Sequence, residues 1–417
     1  MRLSNNLMYQ GNINKILENQ QNVANAQERA NTGKKYLTTS EGPAAISQGM
    51  LYTNKIETNV QYSKNISQLN GRLDTEETIL KSINLNIQSA ESLTIQAGNG
   101  SYDASTKQGI AGELRELQKA ILSLVNTRAE DGKFIFSGYQ DSSQTYAYDS
   151  TNNEYVYGGD QGQHKISIAE GVDIKSSDNG FDIFEKVDAR LNVVSNDGTL
   201  TPSLTKGTVY VDKQSEFDDF HKDYYNPDPA ATVTANTINV VITAGVAGAP
   251  DQYEIMQDGL PLVPAVVGEY TDGETIEFAG MKLSMEGSAP GQMDFELEKP
   301  KKENVLNTLE SLINGLNDPL LSEEDYQQVL ATGLIQLKSA SEQVVFTQAS
   351  LGGRMKAVSQ ITDSNSGLDI NNKASRSDLI EIDTAAAISD LGKQEVALQV
   401  SQATFGRLAN LSLFDYL

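Results

Sequence analysis

The chain has 417 residues, room for about two to four domains and a sizeable core, and a formal net charge of −24. It has no cysteine, no tryptophan and only two histidines, His164 and His221, which excludes disulfides, thiol nucleophiles and the usual zinc sets. The charge is uneven: residues 141–300 carry 28 acidic and 9 basic side chains, against 28 and 23 in the remainder. An acidic middle argues against nucleic acid, while near-neutral ends can lie side by side with little self-repulsion. No apolar run reaches membrane-spanning length and the first residues lack a signal-peptide core, so neither a membrane span nor a cleaved signal is expected. A cytoplasmic protein and one exported without a cleaved signal both fit.

Met1 to Ala30 places Ile13, Ile16, Val23 and Ala30 at steps of three and seven, with Gln20 and Gln27 in the alternate heptad places, and predicts a long helix of coiled-coil spacing. Gly33, Gly42 and Pro43 end it, and Pro43 suits the first turn of the next helix, where its missing N–H would be unpaired anyway. That helix is predicted to run to about Ala97. Its stripe is Ile66, Leu69, Leu73, Glu76, Leu80, Ile83, Ile87, Ala90, Thr94 and Ala97, in alternating steps of three and four. At 1.5 Å per residue it would be on the order of 80 Å long. Gly98-Asn99-Gly100-Ser101 forces a turn, and Ile110, Leu114, Leu117, Ile121 and Leu124 predict an antiparallel neighbour, the pair ending at Asp131-Gly132.

From Phe134 the period changes, and a β-rich, turn-rich region extends to about Pro300. Phe134–Phe136, Tyr155–Tyr157, His164–Ala169 and Thr237–Thr243 read as strands, and Gly158-Gly159-Asp160-Gln161-Gly162 as a tight hairpin. Eight of the ten prolines fall between Pro202 and Pro300, which excludes long helices there. Helix returns with Val305, Leu309, Leu312 and Leu316, and again with Leu330, Leu334, Leu337, Ser341, Val344, Gln348, Leu351, Met355 and Val358. Asp363-Ser364-Asn365-Ser366-Gly367 is expected to break this second helix.

In the last stretch, Ser377 to Leu417, Leu391, Leu398 and Phe405 lie seven apart, with Ile388 and Leu408 three residues outside the row; Val396, Val400 and Ala403 form a second stripe. A helix apolar on more than one face is not expected to sit alone in water. It is either a core helix of a globular domain or one buried when copies of the chain assemble. On the second reading the assembly interface comprises Leu3, Leu7, Ile13, Ile16, Val23, Ile388, Leu391, Leu398, Phe405, Leu408 and Leu411.

The expected fold is mainly α with an inserted β region: a rod of long antiparallel helices formed by both chain ends, with small antiparallel β domains inserted at its distal end. The expected divisions are 1–42, an N-terminal assembly helix; 43–138, half of the rod; 139–300, the acidic β-rich insertion; 301–372, the returning half; and 373–417, a C-terminal assembly helix. No catalytic, metal or cofactor site is expected. His164 and His221 are far apart in a β-rich region, no phosphate-binding glycine loop occurs, and the Asp363–Gly367 stretch lacks the glycine and glutamate of a calcium loop. Asp218-Asp219 reads as a solvated pair.

Several motifs resemble a known family. Met1-Arg2-Leu3-Ser4 with Leu7-Met8-Tyr9-Gln10, Thr32-Gly33-Lys34-Lys35, Thr39-Ser40-Glu41-Gly42-Pro43-Ala44-Ala45 and Gln96-Ala97-Gly98-Asn99-Gly100 are similar to the bacterial flagellins. Where that family has Asp-Asp-Pro, this chain has Glu41-Gly42-Pro43. Asp131-Gly132-Lys133-Phe134-Ile135-Phe136-Ser137-Gly138 and the ending Leu411-Ser412-Leu413-Phe414-Asp415-Tyr416-Leu417 resemble the family's hook-associated branch at the hook–filament junction more than its filament proteins. The resemblance covers roughly the first 180 and last 115 residues. It implies a structural, non-enzymatic protein exported unfolded through the flagellar type III channel to the cell exterior. It further implies terminal helices paired into an inner tube. The implied partners are copies of the chain in a ring or layer, a hook-side junction protein, flagellin on the filament side and an export chaperone, with no nucleic acid and no membrane. A filament flagellin, or a secreted adhesin or enzyme active in residues 190–300, are the competing readings.

Overall fold

The computed structural model describes residues 2–228, 236–246 and 248–414, with backbone only for 2–6 and 408–414. In chain order it begins with three helices: α1 (Arg2–Thr32), α2 (Pro43–Ala97) and α3 (Ala104–Val125). Short strands follow: β1 (Tyr146–Asp149), β2 (Glu154–Tyr157), β3 (Lys165–Ala169), β4 (Val172–Lys175), β5 (Thr199–Leu200) and β6 (Leu204–Val211). After α4 (Gln214–Tyr224) come β7 (Thr237–Thr243), β8 (Gln252–Gln257), β9 (Leu260–Glu269), β10 (Thr275–Phe278), β11 (Met281–Gly287) and β12 (Gly291–Glu296). The chain returns to helix in α5 (Val305–Asn317), α6 (Glu323–Ile380) and α7 (Thr384–Phe414). Long helices thus come from both chain ends, with antiparallel sheets between them in sequence. The residues group into two compact units: Met1–Asn70, Ile166–Ile174 and Arg354–Leu417 in one, Gly71–Lys165 and Lys175–Gly353 in the other.

In the first unit α1 stops where expected. Gly33 takes the left-handed conformation, φ 68°, that L side chains disfavour. The segment beyond it is tied to the α6–α7 junction: Lys35 N donates to Ile380 O at 2.8 Å and Ile382 N to Gly33 O at 2.9 Å. Glu41 accepts from Leu37 N at 3.1 Å and from Arg29 at 3.2 Å, so a single acidic residue holds this loop. A Cβ on Gly42 would meet the Tyr36 ring at 2.8 Å, which gives a steric reason for glycine at the second acidic place of the flagellin pattern.

The expected break at 363–367 is absent, because α6 runs through it to Ile380. Turn-forming residues are held in helix here by distant partners. Asn365 is buried and donates to Ile168 O at 2.8 Å on the β3–β4 hairpin, and its own carbonyl accepts from Asn59 of α2 at 2.6 Å. These contacts outweigh a propensity deficit of a few tenths of a kcal/mol per residue. The chain breaks instead at 381–383, where Asp383 caps α7 by accepting from Ala385 N at 2.8 Å.

In the second unit α2, α3, α5 and the first half of α6 form a helical bundle. All ten positions of the α2 stripe are buried across the two units. Each fully buried leucine or isoleucine contributes roughly 1.5–3 kcal/mol. The two polar members are accommodated: Thr94 donates to Ala90 O at 2.7 Å within its own helix, and Glu76 accepts from Asp178 N at 3.0 Å. α2 and α6 run antiparallel, since Asn84 meets Ser341 at 2.7 Å while the Tyr326 hydroxyl reaches Ala97 O at 2.8 Å. In α3 the buried face is shifted by one residue: Gln118 and Val125 are buried while Leu117 and Leu124 are partly exposed. Gln118 holds its place by donating to Leu306 O and Glu310 of α5, both at 3.0 Å. α3 ends at Val125, short of Asp131-Gly132, because the Asn126 side chain turns to the β1 backbone and bonds both N and O of Tyr146.

The 158–162 segment is not a hairpin. It links β2 to β3, which pair with β1 and β4 respectively. Its glycines permit a close clasp onto 137–139: Asp160 N donates to Ser137 O, Asp160 Oδ1 accepts from Tyr139 N, and a Cβ on Gly138 would lie 2.2 Å from that carboxylate. Phe134–Phe136 is likewise not a strand; it makes one bridge, Phe134 to Arg128. The remaining strands form a three-stranded sheet, β10-β11-β6, and a five-stranded one, β5-β12-β7-β8-β9, and every pairing is antiparallel. They share one core that includes Val209, Leu283, Met285, Val240, Ile255 and Met293. α4, which the sequence reading did not foresee, fits the proline-free interval between Pro202 and Pro227 and adds Phe217 and Phe220 to that core.

One half-buried carboxylate gives this unit a pH dependence. Glu185 accepts from the buried Tyr146 hydroxyl at 2.7 Å and from Asn304 Nδ2 at 3.3 Å, both on Oε1. Burial raises the Glu185 pKa above its ordinary value, with Glu303 and Glu154 adding to the effect and the two hydrogen bonds opposing it. The folded protein therefore holds this proton more tightly than the unfolded chain. The contribution to stability is complete below the unfolded pKa and is lost as pH rises through the raised folded pKa. Glu185→Gln keeps an acceptor for Tyr146 and Asn304 and removes the charge. The expected result is a stability at neutral pH that rises slightly, by less than about 1 kcal/mol for a half-buried group, read as a slightly higher melting temperature and a flatter pH profile. A neutral-pH melting temperature lowered by the change would show that the charged form is favourable there.

Candidate assembly surface

α1 and α7 lie antiparallel. The Tyr9 and Phe405 rings meet edge to face with centroids 5.4 Å apart, Asn19 donates to Ser401 at 2.6 Å, and at the far end the Lys34 and Glu381 backbones form an isolated antiparallel β-bridge. From Leu7 to Val23 the less exposed positions of α1 are Tyr9, Asn12, Ile16, Asn19 and Val23, alternating threes and fours, and Asn25, Ala26, Arg29 and Ala30 follow. Up to Val23 this is a seam of the coiled-coil kind, in which asparagines occupy two places. Ile16 and Val23 sit on it; Gln20 and Gln27 do not.

On α7, Ser401 and Phe405 mark the side that faces α1, and Leu391 and Leu398, partly buried, share that side by their spacing. Val396 and Val400 lie roughly opposite Leu398 at about 100° per residue, and each is 58% exposed. Ile388 is 65% exposed and also lies off the α1 side. Leu7 and Ile13 are exposed on α1, together with Met8 and Leu17, which the expected interface did not include. The side chains of Leu3, Leu408 and Leu411 lie outside the described residues. Within this unit, then, one stripe of α7 meets α1 and a second meets solvent. Exposed apolar residues on both helices form a surface that another chain could cover.

The candidates for chemistry are held in structural contacts. His221 is buried, its Nε2 lies 2.8 Å from Glu298 O, and its ring stacks on Tyr225. His164 lies at the edge of Tyr139, 3.4 Å from Asp141, whose carboxylate is also 2.6 Å from Lys133 Nζ. The hydrogen bond from Lys133 lowers the Asp141 pKa, with His164 and Arg72 adding to it. This ties Lys133 of the 131–138 motif to the turn that follows it. Asp218 accepts from Gln214 at 2.7 Å. Among the described residues no group of three or more His, Asp or Glu could hold a metal ion, and no helix is long and apolar enough to cross a membrane.

Long helices from both chain ends, with antiparallel sheets between them in sequence, make a flagellin-like fold, and residues 3–141 match the bacterial flagellin N-terminal helical region. Within that class the likeness is to flagellar hook-associated protein 3. The protein of that name from Salmonella typhimurium is 22% identical over 417 residues, covering 100% of this chain and 99% of the relative. The crystal structure of flagellar hook associated protein-3 from Legionella pneumophila superposes with a TM-score of 0.59 at 20% identity, covering 79% of this chain and 98% of that one. The flagellar junction protein from the same organism gives 0.56 at 21%, covering 80% and 99%.

Proposed function

We propose that this chain is a structural component of the bacterial flagellum, the adaptor at the hook–filament junction on which flagellin assembles. The observation that carries the reading is the end-to-end likeness to flagellar hook-associated protein 3, which takes in both terminal helices and the region between them. The exposed residues of α1 and α7 supply the surface such a role needs: Leu7, Ile13, Ile388, Val396 and Val400 would be covered by neighbouring copies in a ring or layer. A hook-side junction protein and flagellin would occupy the two axial faces. Delivery would be by an export chaperone and the type III channel, to the cell exterior, without a cleaved signal. The proposal assigns no catalytic activity to the chain.

An adaptor and a filament subunit differ in what their axial faces bind. An interface that joins like to like without closing grows without limit, so an adaptor needs unlike faces above and below. Purified protein is therefore expected to stay monomeric or to form short rings, and a deletion strain to keep its hooks while shedding flagellin into the medium. Electron microscopy of the purified protein and immunoblotting of the medium check this. Long helical filaments grown from this protein alone would replace the adaptor with a filament flagellin.

A further inference from the structure

We propose that Asn99 is a self-modification site: the Gly100 backbone nitrogen closes on the Asn99 side-chain amide, ammonia leaves, and water converts the resulting ring to an aspartyl or isoaspartyl residue in the α2–α3 turn. The chemistry needs an Asn-Gly pair whose glycine N–H is unengaged, whose side chain can swing, and whose backbone can pucker into a five-membered succinimide. The sequence offers four such pairs: Asn70-Gly71, Asn99-Gly100, Asn179-Gly180 and Asn314-Gly315. The fold disables three of them.

Gly71 lies in the interior of α2 and Gly315 inside α5, where the amide nitrogen belongs to the helix ladder. Gly180 N donates to Phe136 O at 2.7 Å, and Asn179 is buried with its amide held by Asp182 and Gln161. At the fourth pair the situation is reversed. Asn99 and Gly100 are exposed between two helices, a Cβ on Gly100 would meet nothing within 4 Å, and among the described residues Gly100 N donates to no acceptor. Asn99 Oδ1 accepts from Ser101 N at 3.1 Å, which draws electron density from the carbon to be attacked.

The step balances without an oxidant or cofactor. The Gly100 nitrogen gives its proton to solvent base and forms a bond to Asn99 Cγ; the bond from Cγ to the side-chain nitrogen breaks, and that nitrogen takes a proton back from solvent and leaves as ammonia. Water then opens the ring at either carbonyl. Because an amide proton must be removed, the rate rises with pH. The product changes the turn. Asn99 N donates to Gln96 O at 3.1 Å and Asn99 O accepts from Tyr102 N at 3.0 Å, and the isoaspartyl form inserts a methylene between these two bonds. Either product adds a negative charge beside the C-terminal end of α2, where the helix dipole disfavours it. The site thus acts as a slow timer that loosens the α2–α3 turn after the chain has folded.

The test is to incubate the folded full-length protein at mildly alkaline pH, digest samples over time, and follow the four Asn-Gly peptides by mass spectrometry. Labelling with an isoaspartyl carboxyl methyltransferase reports the isoaspartyl product. The 99–100 peptide is expected to lose ammonia at least about tenfold faster than the other three, which must first open locally. In urea the four rates should converge. Gly100→Ala, which fits the open space around that residue, should slow the reaction in the folded protein. The proposal is overturned by equal rates at 99–100 and the helical pairs in the folded protein, by urea leaving the other three slow, or by Gly100→Ala reacting as fast as the parent.

Discussion

Val400→Asp is expected to leave the purified protein folded and to remove it from flagella. Val400 is 58% exposed on the side of α7 away from α1, so a carboxylate there stays in water in the isolated chain and costs little. If copies of the chain cover that side on assembly, each subunit must bury an unpaired charge at a cost of several kcal/mol, repeated around the layer. Leu398→Asp is the informative companion. Leu398 shares the α1-facing side of α7 with Ser401 and Phe405, so its replacement should weaken the α1–α7 pair in the monomer as well as incorporation. Asp219→Ala, on the exposed side of α4, should do neither. Thermal melting of the purified variants separates folding from assembly, and immunoblots of isolated flagella read incorporation. Normal incorporation of the Val400 variant would mean that this face of α7 is not covered in the assembled structure.

The second large effect concerns Arg190, which joins the β core to the helices of its unit and is only 5% exposed. Its Nε donates to Gln214 at 2.6 Å at the start of α4, Nη2 to Val211 O at 3.0 Å at the end of β6, and Nη1 to Gln328 at 2.8 Å and Thr332 at 3.2 Å on α6. Among the described residues no carboxylate touches the guanidinium directly. Asp218 acts through Gln214, which donates to it at 2.7 Å. Burial pulls the Arg190 pKa down to about 10, against the opposing pull of Asp218. Arg190→Met keeps the apolar stem but strands the partly buried acceptors of Gln214, Gln328 and Thr332, each worth about 1–3 kcal/mol, while Val211 O keeps a bond from Gln328 Nε2 at 3.0 Å. We expect a loss of about 2–4 kcal/mol and a melting temperature lower by roughly 5–10 °C. Arg190→Lys should fall between the two, since a single ammonium cannot reach three elements at once. Lys206→Ala, whose exposed ion pair with Glu286 is 3.8 Å long, should change stability by less than about 0.5 kcal/mol. A Met variant melting within a degree or two of the parent would show that the contact is dispensable.

The long helices were legible because their signal is local. In α2 the alternating threes and fours name ten residues, and all ten are buried; Gly33 and Pro43 mark the end of α1 and the start of α2. Burying one face of a helix imposes a period that needs no knowledge of the partner. The end motifs were legible from residue identity alone, and with them the likeness to the hook-associated proteins. The faces of α7 were only half legible: spacing separates the Leu391–Leu398–Phe405 row from Val396 and Val400, yet only the packed helices show which row meets α1.

The tertiary structure decided the rest. α6 continues through Asp363–Gly367 because Asn365 finds Ile168 O and Asn59 there, partners far away in sequence. The strand order β5-β12-β7-β8-β9 and the clasp of 158–162 on 137–139 depend on chain segments that meet only after folding. The same holds for Arg190, which looks like any surface arginine until three elements close over it, and for Asn99, one of four identical pairs until helices and hydrogen bonds engage the other three. In each case a polar group's role follows from whether its hydrogen-bonding capacity is used by a distant neighbour, and no local pattern of residues carries that information.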